Sequence, residues 1–82
     1  MTVNYMEIAK EMLSGCLFIP EEYLQPETQI IAIPGFDSIS FMTLLVQIEA
    51  FLKKKIDYQP IIQIRTVQDL AHYLAQEKTH EA

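Results

Sequence analysis

Apolar residues recur along this chain at helical spacing in three stretches, and the breaks between them mark the elements. Tyr5, Ile8, Ala9, Met12, Leu13 and Cys16 are separated by three and four positions, which places them on one face of a helix. Asn4, Glu7, Lys10 and Glu11 fall mostly opposite. A helix is therefore predicted over about 3–14, with Thr2 as candidate N-cap and Gly15 as the stop. In the second stretch Phe41, Leu44, Leu45, Ile48 and Leu52 form a core stripe within a helix over about 38–54. Lys53, Lys54 and Lys55 close it, as cations that complement the negative end of the dipole or as a basic contribution to docking. Val67, Leu70, Ala71 and Leu74 give the face of a last helix over about 67–76, opened by Thr66 and Asp69 as a variant capping box. Residues 77–82 are expected to fray.

The second helix carries more apolar surface than one stripe requires. Ile39, Met42, Val46 and Ala50 repeat the same spacing on another side, with Ser40, Thr43 and Gln47 between them. Charge is nearly absent until Glu49. A helix apolar on most sides is normally buried throughout, but a domain of 82 residues cannot bury every face of one helix. The second stripe is expected to remain partly exposed, as partner-docking surfaces do.

The connections complete the outline. Ile56 is expected to turn inward, 57–59 to form a loop, and 60–64 a short helix. Residues 15–37 form a connection longer than the ~15 residues usual for a compact domain, a length that points to function. Within it Glu21 and Glu22 suit one helical turn with Pro20 at its first position, while Leu17, Ile19, Tyr23, Leu24 and Ile30 anchor the loop. The run Ile30–Ile33 has strand composition but no evident pairing partner and is read as loop. The fold class is all-α, a small four-helix bundle with three main helices and a short one before the last, in a single domain over 1–82.

Hydrophobic content of 50% is enough to pack one core and argues against a disordered chain. A net charge of −5 argues against nucleic acid and favours encounters with basic protein surfaces. One cysteine, Cys16, excludes an internal disulfide framework. No apolar run approaches the ~20 residues of a membrane span, and the first residues lack the basic-then-apolar order of a signal peptide. A cytoplasmic, monomeric protein is expected, without membrane insertion, free-standing or excised from something larger.

The candidate chemistry lies where the long connection meets the second helix. Pro34 biases Ile33 toward extended backbone, and Gly35 permits a turn that side chains with a Cβ resist. Asp37 suits the N-cap. Ser38 then falls in the first turn, facing solvent, where free N–H groups and the helix dipole would receive a phosphate. As an enzyme nucleophile Ser38 would need a base, and only His72 and His80 are available, the latter in the tail. The turn lacks a Gly-x-Ser-x-Gly elbow. Cys16 sits on an apolar face that suggests packing, and metal-ligand spacing is absent.

Asp37-Ser38-Ile39, with a glycine two residues before the aspartate and a long apolar helix after it, resembles the modification site of acyl carrier proteins. The resemblance runs from about Met12 to Leu74. Leu17-Phe18-Ile19-Pro20-Glu21-Glu22-Tyr23-Leu24-Gln25-Pro26-Glu27-Thr28 is similar to the carrier loop pattern, and Leu44, Leu45, Ile48, Leu52, Ile56, Ile64, Val67, Leu70 and Leu74 fall at family spacings. The resemblance implies that Ser38 receives 4′-phosphopantetheine, with Asp37 and Gly35 shaping its turn. A phosphopantetheinyl transferase would supply base and Mg²⁺ while the serine hydroxyl attacks the β-phosphate of coenzyme A. The thiol of the arm would then hold acyl or aminoacyl groups as thioesters and deliver them to loading and processing enzymes, with Ile39, Ser40, Met42, Thr43, Val46 and Gln47 as the partner-recognition face. One departure from the carriers of fatty acid synthesis is that Ser40 and Thr43 stand where carboxylates are usual. That departure points to dedicated partners in polyketide, nonribosomal-peptide or other specialised biosynthesis. The competing readings are an unmodified helical interaction module that binds through the apolar stripe, and, last, a hydrolase using Ser38.

Overall fold

The computed structural model describes residues 4–79. Four helices follow in order: α1 (Tyr5–Leu17), α2 (Ser38–Leu52), α3 (Tyr58–Ile62) and α4 (Val67–Thr79), with no strand among the described residues. The architecture is a small helical bundle. α1 packs mainly on α4 and next on α2. The core they share is built from Ala9, Met12 and Leu13 of α1, Leu44, Ile48 and Leu52 of α2, and Val67, Leu70, Ala71 and Leu74 of α4. No polar side chain is fully buried among the described residues, so the core needs no side-chain hydrogen bond to satisfy it.

α1 does not stop at Gly15. It continues for two more residues and ends on Phe18, whose N–H donates to the Ser14 carbonyl at 2.8 Å from a left-handed conformation (φ 57, ψ 43). The Ser14 hydroxyl donates to the Ile19 carbonyl and fixes the chain as it leaves. A glycine one turn inside a helix is about 1 kcal/mol less favourable than alanine, and a left-handed residue with a Cβ costs about 1–2 kcal/mol. The sequence therefore puts glycine in the helix and phenylalanine in the position that glycine would suit. At the other end, Asn4 is the N-cap, its Oδ1 accepting from the Glu7 N–H at 3.2 Å; Thr2 lies outside the described residues.

The long connection contains two single-turn 3₁₀ segments, Glu21–Tyr23 and Ile30–Ala32. Pro20 precedes the first of them as an extended N-cap rather than entering it. Leu24 and Ile30 are buried and Leu17 and Ile19 half-buried, but Tyr23 is 71% exposed and anchors nothing inside. The run that lacks an evident partner in the sequence has one in space. Gln29 bridges Thr66 antiparallel, the Ile30 N–H donates to the Arg65 carbonyl at 2.8 Å, and the Val67 N–H donates to the Thr28 carbonyl at 3.1 Å. The Gln68 N–H adds a bond to the Pro26 carbonyl at 2.9 Å. Arg65, Thr66, Val67 and Gln68 straddle the start of α4, where the first N–H groups of a helix lack acceptors. The loop supplies them.

α2 ends at Leu52, with Lys53 left-handed (φ 59) and its N–H on the Glu49 carbonyl at 2.7 Å. The three lysines thus lie just beyond the helix, all exposed. Glu49 folds over the same turn, its Oε2 accepting from the Ile56 N–H at 3.2 Å, and Ile56 is half-buried. α3 begins two residues earlier than its apolar pattern suggests. Pro60 falls in its first turn, where a missing N–H removes no helical bond. Residues 77 and 78 are held: Glu77 pairs with Lys54 at 2.9 Å, and the Lys78 ammonium lies 5.2 Å from the Phe51 ring centroid. Tyr5 meets the same ring edge-on at 6.4 Å. This cluster joins the N-terminal end of α1 to the C-terminal ends of α2 and α4, and residues 80–82 lie outside the described residues.

Leu13 is fully buried. Leu13→Ala is expected to destabilise the fold by about 2–5 kcal/mol, read as a lower urea midpoint.

Candidate functional site

The first turn of α2 is assembled by its approach. Ile33 is buried and extended (φ −70, ψ 130), and the Phe36 N–H returns to its carbonyl at 3.1 Å. Gly35 spans the gap at φ +90 with open space around it, so its role is conformational rather than one of close packing. Asp37 is the N-cap: its Oδ1 accepts from the Ser40 N–H at 2.9 Å. The first intrahelical bond runs from the Phe41 N–H to the Asp37 carbonyl at 2.9 Å. The amides of Ser38 and Ile39 lie ahead of that bond and have no acceptor within the helix.

The three hydroxyls at this end differ. Ser40 Oγ donates to the Gly35 carbonyl at 3.3 Å and Thr43 Oγ1 to the Ile39 carbonyl at 3.0 Å. The Ser38 hydroxyl is exposed and makes no hydrogen bond to another described residue. Around it Ile39, Met42 and Val46 are 75%, 55% and 59% exposed, and Ala50 extends the stripe. The loop of residues 16–37 does not cover them. Gln47 differs from these neighbours. It is half-buried, and its Nε2 donates to Cys16 Sγ at 3.4 Å, so it ties α2 to α1.

Besides the shallow open face of Ser38, Ile39, Met42 and Val46, two hollows flank the turn. On one side an apolar cavity of about 140 Å³ lies between α2, α3 and the connection, walled by Ile30, Phe36, Phe41, Leu44 and Ile61. On the other a groove of about 380 Å³ separates the last turn of α1 from the first of α2. Phe18 stands at its edge, 91% exposed. Sequence patterning missed this residue as a site feature because it counts as one more apolar position before Pro20. Its signal was available only as an aromatic just beyond a helix end.

Among the described residues no side chain is placed to activate Ser38 as a nucleophile. His72 is exposed on α4, and its charge acts on Asp69. Cys16 is half-buried, and burial pushes its thiol pKa up, which disfavours the nucleophilic thiolate. No group of three or more metal-ligating side chains occurs among the described residues. His80 lies outside them.

A family model for the phosphopantetheine attachment site matches residues 9–74, most of the chain. The chain belongs to that family. Its members carry 4′-phosphopantetheine covalently on a serine and act as carriers of acyl intermediates without catalysing reactions themselves. They work with phosphopantetheinyl transferases and with the enzymes of their pathways. Among curated proteins, none matches the chain. No helix among the described residues is long and apolar enough to cross a membrane.

The capping carboxylates give this end a pH dependence. The Ser40 backbone N–H holds Asp37 below the ordinary carboxylate range. The backbone N–H groups of Arg65 and Thr66 do the same for Asp69 at the start of α4. A carboxylate lowered on folding stabilises the fold above its unfolded pKa of about 3.9, and that contribution is lost as pH falls through the lower folded value. Asp37→Ala is expected to lower the urea midpoint at neutral pH. The difference from the parent chain should shrink as acid protonates the carboxylate, down to what the neutral carboxyl still contributes as a cap.

Proposed function

We propose that Ser38 is the attachment point of 4′-phosphopantetheine and that this chain is an acyl or aminoacyl carrier of specialised biosynthesis. The observation that carries the reading is the exposed Ser38 hydroxyl at the head of α2, without a hydrogen-bond partner among the described residues, beside two amides with no helical acceptor. Those amides and the helix dipole suit a phosphodiester. Asp37 holds the helix start with its own oxygen on Ser40, leaving the Ser38 oxygen free. When bound, the prosthetic group supplies a thiol that holds acyl or aminoacyl groups as thioesters. The chain contributes presentation: a fixed turn, an accessible oxygen and a tether point that raises local concentration at each partner site.

The assignment to polyketide, nonribosomal-peptide or other specialised chemistry rests on the face around Ser38. Ile39, Met42 and Val46 are exposed there, with the Ser40 and Thr43 hydroxyls turned back onto the backbone. The only carboxylate of α2, Glu49, is occupied on the Ile56 N–H. A partner that docks on this face meets apolar contact and shape rather than a row of charges, which suits dedicated partners over enzymes that recognise acidic carriers. Monomeric operation in the cytoplasm is part of the same proposal.

Incubation with coenzyme A and a broad-specificity phosphopantetheinyl transferase should add one phosphopantetheine to the intact mass, and Ser38→Ala should add none. No addition across a panel of transferases would favour an unmodified interaction module. Met42→Glu or Val46→Glu is expected to reduce turnover with pathway enzymes by tenfold or more, on the order of 1.4 kcal/mol, while the circular dichroism spectrum is unchanged.

A further inference from the structure

Two local choices in α1 are unfavourable for the bundle, and both border the same groove. Gly15 lies one turn inside the helix, where alanine would serve better. A Cβ there would meet only Gln47 Nε2, at 3.7 Å, an ordinary contact, so packing within the protein does not require the glycine. Phe18 takes the left-handed position at the end of the helix, where glycine is the favoured residue, and leaves its ring 91% exposed. Sequences that break local rules without an internal benefit commonly do so at functional sites.

The groove runs from these residues to Asp37, Ile39, Ser40 and Thr43, so it is continuous with the turn that presents Ser38. Its chemistry is mixed. The aromatic face of Phe18 and the Ile39 side chain are apolar. The Ser40 and Thr43 hydroxyls have placed their hydrogens on backbone carbonyls, which leaves their lone pairs to accept from outside. The cavity on the opposite side of the turn is walled by apolar side chains.

We propose that the groove between the last turn of α1 and the first turn of α2 seats the pantetheine arm, with Phe18 packing on its branched gem-dimethyl segment and Gly15 leaving room for it. This rests on Ser38 as the attachment point. An arm with two amide N–H groups and a branched aliphatic segment matches a groove that offers acceptors and one large apolar face. The opposite cavity is lined almost wholly by apolar surface and suits the arm's amides less well. Gly15 allows the arm to approach the helix backbone directly, and an alanine there narrows the groove by a methyl group.

The test compares ¹⁵N–¹H spectra of the apo chain with those of the chain loaded by a transferase, after intact mass has shown complete loading. Amide shifts are expected at Gly15, Cys16, Phe18 and Thr43, beyond the immediate neighbours of Ser38. Nuclear Overhauser contacts are expected between the gem-dimethyl protons and the Phe18 ring. Phe18→Ala and Phe18→Gly should each remove most of the shifts at Gly15 and Cys16, with loading by the transferase still reaching completion. Shifts confined to residues 37–39, or spreading instead to Phe41 and Ile61, would overturn the inference while leaving the carrier reading intact. Failure of the mass to change would remove the carrier reading itself, and the inference with it.

Discussion

The position of Ser38 depends on a backbone seam far from it in sequence. Residues 18–37 would lose about 1–2 kcal/mol each in backbone entropy on being ordered, and the segment has only two short 3₁₀ turns of its own. What holds it is the exchange of hydrogen bonds with the α3–α4 junction: Ile30 to Arg65, Val67 to Thr28 and Gln68 to Pro26. The seam works in both directions. It gives the first amides of α4 their acceptors, and it sets Ile30 and Ile33 into the core. Once Ile33 is fixed, the Gly35 turn and the Asp37 cap have one place to go, and the start of α2 follows from them.

The two ends of the bundle are closed by different means. At the end remote from Ser38, Tyr5 meets the Phe51 ring edge-on, Lys78 lies over that ring and Lys54 pairs with Glu77. The ion pair is on the surface and worth little by itself, about 0–1 kcal/mol. The aromatic contact and the cation over the ring join three helices there. At the Ser38 end no such cluster forms. A turn, a cap and an uncovered apolar stripe meet solvent, and partner surfaces are drawn from such regions.

Elements whose identity depends on local spacing were legible in the sequence. The faces of α1, α2 and α4 follow from three- and four-residue repeats, and the Asp37 cap and the reciprocal Thr66–Asp69 pair follow from side-chain chemistry within a few positions. So did the exposure of Ile39, Met42 and Val46, because a small domain has too little interior for two stripes of one helix. The features that escaped depend on distant partners. Gln29 finds Thr66 only after α4 has docked, so Ile30–Ile33 looked unpaired. Gly15 looked like a stop because glycine often ends helices, yet the Phe18 N–H closes the last turn onto Ser14. Glu77 and Lys78 looked like tail because Lys54 and Phe51, which hold them, lie more than twenty positions away.

The most direct measurement is fragmentation mass spectrometry of the loaded chain, which assigns the prosthetic group to one residue. Ser38 and Ser40 are two positions apart, but the half-buried Ser40 already bonds the Gly35 carbonyl, whereas the exposed Ser38 hydroxyl has no partner among the described residues. Fragments that place the group on Ser38, with Ser40 unmodified, are the predicted result. Placement on Ser40, or on any residue outside the first turn of α2, would contradict it.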